Sequence, residues 1–364
     1  MKKLLPLKYC LAYSLYIIAY FSFSLTGYWT YSLVIYGYVI IPFIELFYKP
    51  NFSNIIQEKE KELRQNKIYD YLIYIMVPLH YLSLAYFFYS INKVDLETYE
   101  IIGYILTMGT ICGHSINIAH ELGHRGRKFE QNLAKTLLLG SLYMHFIIEH
   151  NRGHHKRVAT MEDPATARKG EMIYIFLCRS ILYSYISAWK LEYKRLKDRN
   201  KKFISFDNEM IQFSIIQISL CAAIFFTLGF IYLQYFFAVS FMGIILLETI
   251  NYVEHYGLMR ERDEDGKYEK ITAMHSWNAN ITLGRIMLFE LSRHSDHHLI
   301  SSKKYQILDS HAGAPEHPSG YIGMILLSFF PPAWFWVVNP RIEEIKKLEI
   351  LKSGNVITKK TELF

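Results

Sequence analysis

Long apolar runs alternate with strongly charged stretches along the 364 residues of this chain. An α-helix needs about 20 apolar residues to cross the roughly 30 Å hydrocarbon core of a bilayer. Six runs reach that length, and the pattern therefore predicts an all-α integral membrane protein with six transmembrane helices. The predicted spans are residues 4–26, 28–48, 69–91, 99–120, 210–232 and 233–254.

The first run follows Lys2 and Lys3 and has the general form of a signal peptide. No small-residue cleavage site follows it, and the second run begins at once. We therefore interpret it as an uncleaved first helix.

Three of the stretches between the spans carry their own predictions. Residues 49–67 are highly charged, which predicts a short exposed helix. Residues 133–148 are apolar but too short to cross, which favours a buried or re-entrant helix. Residues 156–207 are aromatic and then strongly basic, a composition typical of a helix that lies along the membrane surface.

After the last span, residues 321–338 are apolar but interrupted by Pro331 and Pro332, which indicates a surface-embedded segment rather than a crossing. We predict one membrane-embedded domain over residues 1–340, followed by a charged tail over 341–364. The cytoplasmic part of the domain is predicted to comprise residues 121–209 and 255–340.

The net charge of +7 is concentrated between the apolar runs. Positive residues stay on the cytoplasmic side of a membrane, and the links that carry them place both termini there. The sequence thus predicts a multi-pass membrane protein with both termini in the cytoplasm. It contains no nucleic-acid-binding motif, so the basic charge indicates lipid headgroups and an acidic protein partner. Arg152, Lys156 and Arg157 are candidates for docking that partner.

The four cysteines contain no Cys-x-x-Cys pair, which excludes a disulfide framework and an iron or zinc site held by four cysteines. An iron–sulfur electron donor would have to be a separate protein.

Four histidine clusters are the strongest chemical signal in the chain. They read HELGH (120–124), EHNRGHH (149–155), NYVEHYG (251–257) and LSRHSDHH (291–298). Neutral imidazole is the commonest protein ligand of transition metals, and nine such ligands are too many for one ion and about right for two. The nine clustered histidines are His120, His124, His150, His154, His155, His255, His294, His297 and His298.

The spacing within the clusters suits two metals. His120 and His124 are four residues apart and share one face of a helix. Adjacent histidines point in different directions, so that one member of each adjacent pair can serve each metal. The six isolated histidines are interpreted as satisfied core or solvated loop residues; they are His80, His114, His145, His275, His311 and His317.

Two other interpretations of the histidine clusters remain open. HELGH fits the zinc-protease pattern HExxH, with Glu121 as the general base. That site needs one further ligand, however, and it leaves about six clustered histidines unexplained. A membrane protein that stores metal is the non-enzymatic alternative.

Longer stretches around the clusters carry a family resemblance. They read HELGHRGR, EHNRGHHKRVATMEDPATAR, NYVEHYGLMR, HSWNANITLGRIMLFELSRHSDHH and SGYIGMILLSFFPP. The chain, over roughly residues 42–340, resembles the bacterial alkane 1-monooxygenases. These belong to the membrane fatty acid desaturase and hydroxylase superfamily of histidine-rich non-haem di-iron enzymes. NYVEHYG distinguishes that branch from the fatty-acyl desaturases.

The resemblance implies hydroxylation of the terminal methyl group of medium- to long-chain n-alkanes to 1-alkanols. It implies two iron ions, O2 as co-substrate, and electrons from a separate rubredoxin that is reduced by an NADH-dependent reductase. Iron suits this chemistry because zinc undergoes no redox change. A xylene-type methyl hydroxylase, a fatty-acid ω-hydroxylase and a desaturase remain alternatives for the same site.

Two further sets of residues follow from this hypothesis. Carboxylates beside the clusters are candidates to bond to the metal-binding histidines, namely Glu149, Asp163, Glu254 and Asp296. Gly37, between Tyr36 and Tyr38, is the candidate for a wide point in a substrate channel. Its alternative role is to let two helices pack closely.

Overall fold

A computed structural model describes the backbone of residues 2–93 and 95–361 and the side chains of residues 6–92 and 95–347. The regular secondary structure of the described part is helical, as the sequence predicts. The last three residues of the predicted tail, 362–364, lie outside the described residues.

Fourteen helices are labelled here in chain order. They are α1 (Ser14–Ser24), α2 (Gly27–Glu45), α3 (Gln57–Gln65), α4 (Lys67–Asn92), α5 (Thr98–Gly123), α6 (Lys128–Leu139), α7 (146–157), α8 (Ile173–Asp198), α9 (Glu209–Leu228), α10 (Phe230–His255), α11 (Thr282–Met287), α12 (His294–Leu299), α13 (Tyr321–Ser328) and α14 (Pro331–Thr361).

Five of these helices are long and apolar enough to cross a membrane, and each corresponds to a predicted span. They are α2, α4, α5, α9 and α10. Apolar length alone therefore located five of the six predicted spans to within a few residues, because it is the same property that a bilayer selects.

The predicted first span, residues 4–26, is not a single long α-helix. A 3-10 helix covers Lys2–Tyr13, and α1 adds eleven residues. Pro6 lies inside the 3-10 helix and has no N–H to donate, which disfavours a regular α-helix there. Lys8 and the Tyr9 hydroxyl both donate to Glu290 Oε1, at 2.9 and 2.7 Å. The sixth span is thus not confirmed, and the start of the chain lies against the segment that precedes the last histidine cluster.

The turns between the long helices meet at the end of the bundle opposite the histidines. The Gly27 N–H at the start of α2 donates to the Glu100 carboxylate at the start of α5. Tyr232 at the start of α10 donates to Asn92 at the end of α4. These contacts hold together the end of the bundle that lies opposite the histidines.

Helices α5 and α10 form the centre of the bundle and approach each other through glycines. A Cβ atom on Gly109 would lie 2.5 Å from Cγ of Met242, and one on Gly243 would lie 2.7 Å from Cβ of Cys112. Small residues allow such close packing of helices within a membrane. Because α5 and α10 end at the HELGH and NYVEHYG clusters, this packing brings those clusters to the same end.

The shorter elements correct some predicted boundaries. Helix α3 has no buried residues, which confirms the exposed helix expected in 49–67. The single helix expected over 133–148 is wrong: α6 ends at Leu139, Leu142 adopts φ 51°, and α7 begins at residue 146. A residue with positive φ cannot continue a right-handed helix, so the chain turns there.

The segments after residue 156 also contain helices, and α14 continues across the predicted boundary between the domain and the tail. Helix α8 runs for 26 residues within the segment where a surface helix was expected. Helix α13 ends at Ser328, and α14 begins with Pro331 and Pro332 in its first turn. Proline is well tolerated in the first turn, where its missing N–H has no partner in any case.

Candidate metal centre

Four elements deliver the nine clustered histidines to one place at the end of the helix bundle. Helix α5 supplies His120 in its last turn and His124 directly after its end, and α10 ends on His255. Helix α7 supplies three histidines and the short helix α12 supplies three more. The four clusters are therefore united in space although they are far apart in sequence.

The histidines form two groups whose ligand atoms lie within 4.8 Å of one another. The 4.8 Å limit applies within each group. One group has five members, which are His120, His124, His150, His155 and His297. The other has four members, His154, His255, His294 and His298. Together they account for all nine of the histidines that the sequence singled out.

Each adjacent histidine pair is divided between the two groups, as its geometry predicts. His155 and His297 belong to the group of five, and His154 and His298 to the group of four. A π-helical turn over His150–His154 assists, because its i→i+5 hydrogen bonds stack residues five apart. The Nε2 atoms of His150 and His155 accordingly lie 3.0 Å apart.

The distances within both groups match ligands that share an ion. His155 Nε2 is 3.1 Å from His124 Nε2 and 3.2 Å from His297 Nε2. Two nitrogens that each lie about 2.1 Å from one ion at a right angle are about 3 Å apart. The spacing of these imidazoles is therefore compatible with a shared ion.

The group of four has the same form. His294 Nε2 lies 3.1 Å from His255 Nε2 and 2.9 Å from His298 Nε2. His154 Nε2 lies 3.3 Å from His298 Nε2. In the group of five, both ring nitrogens of His120 are buried without a hydrogen-bond partner. Buried polar atoms are normally paired, so a bound cation would satisfy this arrangement.

Burial keeps these imidazoles in the neutral form that binds metals. It lowers the pKa of His150, His294, His297 and His298 well below the usual value, and neighbouring histidines lower it further. The same causes lower the pKa of His155 to about 3. Each of these five rings thus offers an unprotonated nitrogen at neutral pH.

Two of the four candidate carboxylates contact a clustered histidine. Asp163 Oδ2 lies 2.9 Å from His154 Nδ1, on the side of the ring away from the group of four. A carboxylate in that position fixes the ring tautomer and orients the other nitrogen toward a metal. Glu254 Oε2 lies 3.3 Å from His294 Nε2, the atom that faces the group, so Glu254 is placed where it could itself bind an ion.

The other two candidate carboxylates bond elsewhere. Glu149 pairs with Arg157 at 2.5 Å, and burial raises the pKa of Glu149 to about 7 although Arg157 opposes this. Asp296 accepts from Lys303 and from His311, each at 2.7 Å. These contacts order the segments that carry the histidines without touching the ligand atoms.

Glu121 does not have the surroundings of a protease base. Its Oε1 accepts from Arg125 Nε at 2.8 Å and from the Tyr305 N–H at 3.3 Å. Arg125 in turn donates to Asp70. A general base must reach the proton that it removes, whereas Oε1 of this carboxylate is committed to a buried ion pair with Arg125. The zinc-protease interpretation is therefore not supported.

In the described part of the chain, the six isolated histidines belong to neither group. His80 bonds to Ser115 in the core, and His311 bonds to Asp296. His114 was predicted to be an ordinary core residue, yet it lines a cavity. Its signal in the sequence is its position on α5, where His114 and Asn117 precede His120 at intervals of three residues.

That cavity is apolar, has a volume of about 70 Å³, and lies between α1, α2, α5, α10 and the α11–α13 region. Its wall includes Gly37, Ile41, Leu246 and Ile250. A Cβ atom on Gly37 would meet no atom within 4 Å, so this glycine borders open space instead of a closely packed helix. Asn117, one helical turn before His120, lines the same cavity. An apolar compartment therefore extends from the bilayer-spanning helices toward the histidines.

Comparison with known proteins identifies the family of this chain. A family model described as fatty acid desaturase matches residues 99–338. The alkane 1-monooxygenase 1 of Alcanivorax borkumensis is 38% identical over 321 residues, which is 88% of this chain and 79% of the relative. The alkane 1-monooxygenase of Acinetobacter baylyi is 38% identical over 317 residues, 87% of this chain and 78% of the relative.

A more distant relative is the xylene/toluene monooxygenase hydroxylase component XylM of Pseudomonas putida. It is 25% identical over 273 residues, 74% of this chain and 72% of the relative.

Fold and site thus define a helical membrane protein of the fatty acid desaturase family, with two groups of histidines arranged as metal sites. Within that class, the chain belongs to the family of alkane 1-monooxygenases.

Proposed function

We propose that this protein is an alkane 1-monooxygenase that hydroxylates the terminal methyl group of medium- to long-chain n-alkanes. The observation that carries the proposal is the gathering of nine histidines in two groups, near an apolar cavity whose wall includes Asn117, three residues before His120. An alkane dissolves in the bilayer, so a cavity bounded by membrane helices can receive it laterally. The reaction joins the alkane, O2, two electrons and two protons to give a 1-alkanol and water.

Two iron ions suit the two histidine groups. The group of five would hold one ion and the group of four the other, with Glu254 available to complete the smaller set. Iron supplies the redox change that activation of O2 requires. The protein's own contribution is to hold neutral imidazoles in place, to fix the proton of His154 on Nδ1 through Asp163, and to orient the alkane in a water-poor cavity.

The test is metal content together with turnover. Purified protein should contain two iron ions per chain and should form 1-octanol from octane when supplied with O2, NADH, rubredoxin and its reductase. One zinc ion per chain with peptidase activity would overturn the proposal. Turnover of a xylene in preference to octane would move the assignment to the methyl hydroxylases of aromatic rings.

The proposal includes a cytoplasmic (inner) membrane location with both termini in the cytoplasm, and a single domain over residues 1–340. Its support is the charge distribution, since Lys and Arg are concentrated in the links at the histidine end. Two reporter enzymes test this topology, one that is active only in the cytoplasm and one that is active only outside it. When each is fused to either terminus, only the cytoplasmic reporter should be active.

The proposed electron donor is a separate rubredoxin, drawn to the basic histidine end of the protein. The structure changes the choice of residues that can test this. Arg152 pairs with Glu192 at 2.9 Å, and Arg157 pairs with Glu149, so charge reversal at either would disturb the metal-binding segments. Lys156 is exposed and lies between them, which makes it the suitable residue.

We expect Lys156→Glu to raise the KM for rubredoxin by about threefold to tenfold at low salt and to leave kcat at saturating rubredoxin unchanged. The difference from the wild type should shrink as salt screens the attraction. Steady-state turnover at several rubredoxin concentrations measures both constants. Lys59→Glu, which makes the same charge change on the exposed helix α3, is the control. A fall in kcat with an unchanged KM would show that Lys156 supports the metal centre instead.

The cavity also predicts chain-length selectivity. Gly37→Trp should shift preference toward shorter alkanes, because the indole would occupy space that a long tail needs, and packed interiors tolerate added volume poorly. The ratio of hexadecane to octane turnover should fall by at least about tenfold, with iron content unchanged. Product analysis by gas chromatography measures the ratio.

Ile35→Trp adds the same indole on an exposed face of α2 and is the matched control. An unchanged chain-length profile in Gly37→Trp, with normal iron, would place Gly37 away from the substrate.

A further inference from the structure

The wall of the apolar cavity contains one polar stripe, which lies on α5. Thr110, His114 and Asn117 are separated by about one helical turn each, and all three line the cavity. Residues three or four apart share a helix face, so the three polar side chains follow one another along the wall. Hydroxylation of an alkane does not by itself require polar groups along the path of the chain.

The hydrogen bonds of His114 and Asn117 fix which polar atom of each side chain is left over. His114 Nε2 donates to the Met287 carbonyl at 3.1 Å, and Asn117 Nδ2 donates to the Leu288 carbonyl at 3.1 Å. A carbonyl can only accept, so a neutral His114 carries its proton on Nε2. His114 Nδ1 and Asn117 Oδ1 are then both acceptors.

Neither acceptor has a partner within the protein. His114 is 7% exposed and Asn117 is 4% exposed, so bulk solvent does not reach them freely. An unpaired buried acceptor is costly, which makes two in succession beside one cavity a feature that calls for a ligand. The ligand must donate a hydrogen bond and must otherwise be apolar.

An alkane has no hydrogen-bond donor, whereas a 1-alkanol has one at the end of the same chain. Asn117 is also close to where that hydroxyl would form. It precedes His120 by three residues on α5, about 4.5 Å along the helix axis, and His114 lies a further turn away. A hydroxyl leaving the metal centre along this wall would meet Asn117 first and His114 second.

We propose that Asn117 Oδ1 and His114 Nδ1 form a site for the hydroxyl group of the 1-alkanol product, separate from the histidines that bind metal. The product donates its O–H to Asn117 and then to His114 as it withdraws from the centre. This inference rests on the proposed function. It assigns to the cavity a second ligand class, a long-chain primary alcohol, in addition to the alkane.

The outer part of the stripe continues the same path. Thr110 Oγ1 lies 3.5 Å from the Tyr38 hydroxyl. Tyr38 also lines a groove on the outside of α2 and α13, together with Pro42 and Phe43. Polar atoms therefore mark the wall from the turn beside His120 to Tyr38, the residue shared with the outer groove. This stripe would define the direction in which the alcohol leaves.

The test compares two isomers of the same size in the iron-loaded protein reconstituted in phospholipid nanodiscs. 1-Octanol has a hydroxyl donor, whereas 1-methoxyheptane has the same atoms and no donor. Equilibrium binding of radiolabelled 1-octanol is measured with each isomer as the competitor, and binding to empty nanodiscs is subtracted. We expect the wild type to prefer 1-octanol by about tenfold, the size of one hydrogen bond to a buried acceptor.

Asn117→Leu and His114→Phe each remove one acceptor with little change in shape. Each should reduce the preference for 1-octanol severalfold and should leave the affinity for 1-methoxyheptane unchanged. Ile250→Val, which alters the same wall without a polar atom, should keep the wild-type preference. If one variant does not fold, the wild-type comparison and the other variant still decide the matter.

The product site is refuted if the wild type binds both isomers equally, or if both folded variants keep the full preference. Because the assay needs no turnover, it is independent of the proposed function. A protein that hydroxylates octane but shows no preference would refute only the product site. If the wild type cannot hydroxylate octane but prefers 1-octanol, and both variants lose that preference, the alcohol site is supported and the proposed function is refuted.

Discussion

Replacing His255 with alanine is expected to abolish alkane hydroxylation and to lower iron content from two ions per chain to about one. His255 is one of four histidines in the smaller group, and its Nε2 lies 3.1 Å from that of His294. Loss of a partner that merely orients a ligand typically costs 10- to 100-fold in metal affinity or activity, and loss of a ligand should exceed this, at more than about 100-fold. Iron analysis and octane turnover on the same preparation measure both effects.

The control is His80→Ala, which removes an imidazole that belongs to neither histidine group and bonds to Ser115. This variant should keep both irons and most of its activity. A fully active His255→Ala variant with two irons would remove the NYVEHYG cluster from the metal centre, and the smaller group would have to be redrawn.

Asp163→Asn is expected to weaken iron binding by about 10- to 100-fold and to lower turnover in proportion. Burial alone would raise the pKa of Asp163, but His154 and Thr166 outweigh it and hold the pKa below its usual value. The carboxylate is therefore charged when it bonds to His154 Nδ1 at 2.9 Å. An amide has the same shape but lacks the charge that makes His154 a stronger ligand.

Competition with a chelator of known affinity measures the change in iron binding. Glu162→Gln is the matched control, because it makes the same chemical change at the neighbouring residue, which is exposed. Equal iron retention in the two variants would mean that Asp163 only braces the loop through Thr166, whose hydroxyl donates to it at 2.6 Å.

The features that the sequence predicted well are those with a local cause. Five long helices follow from apolar length, and the division of adjacent histidines between two groups follows from the directions of neighbouring side chains. The resemblance to alkane 1-monooxygenases depends on short stretches around those same histidines. Each of these signals can be evaluated without knowing which distant segment lies opposite.

The features that the sequence did not predict depend on distant partners. Glu121 has the position of the catalytic base in the zinc-protease pattern. The structure shows instead that it pairs with Arg125, which also donates to Asp70 on another helix. Asp296 stands within a histidine cluster yet turns toward Lys303. The acceptors on His114 and Asn117 become visible only when the Met287 and Leu288 carbonyls are in place. Side-chain direction inside a bundle is decided by tertiary contacts, which periodicity does not encode.

The interleaving of the two histidine groups has a consequence for biosynthesis. Each group includes a residue of the α12 segment, because His297 completes the group of five and His294 and His298 complete the group of four. All five long apolar helices precede α12, so a chain still emerging from the ribosome has neither group complete until those helices have been synthesised. Since metal binding contributes directly to folding free energy, iron would stabilise the helix bundle only after its helices have been inserted. The newly inserted chain should then be the form most exposed to membrane proteases in cells starved of iron.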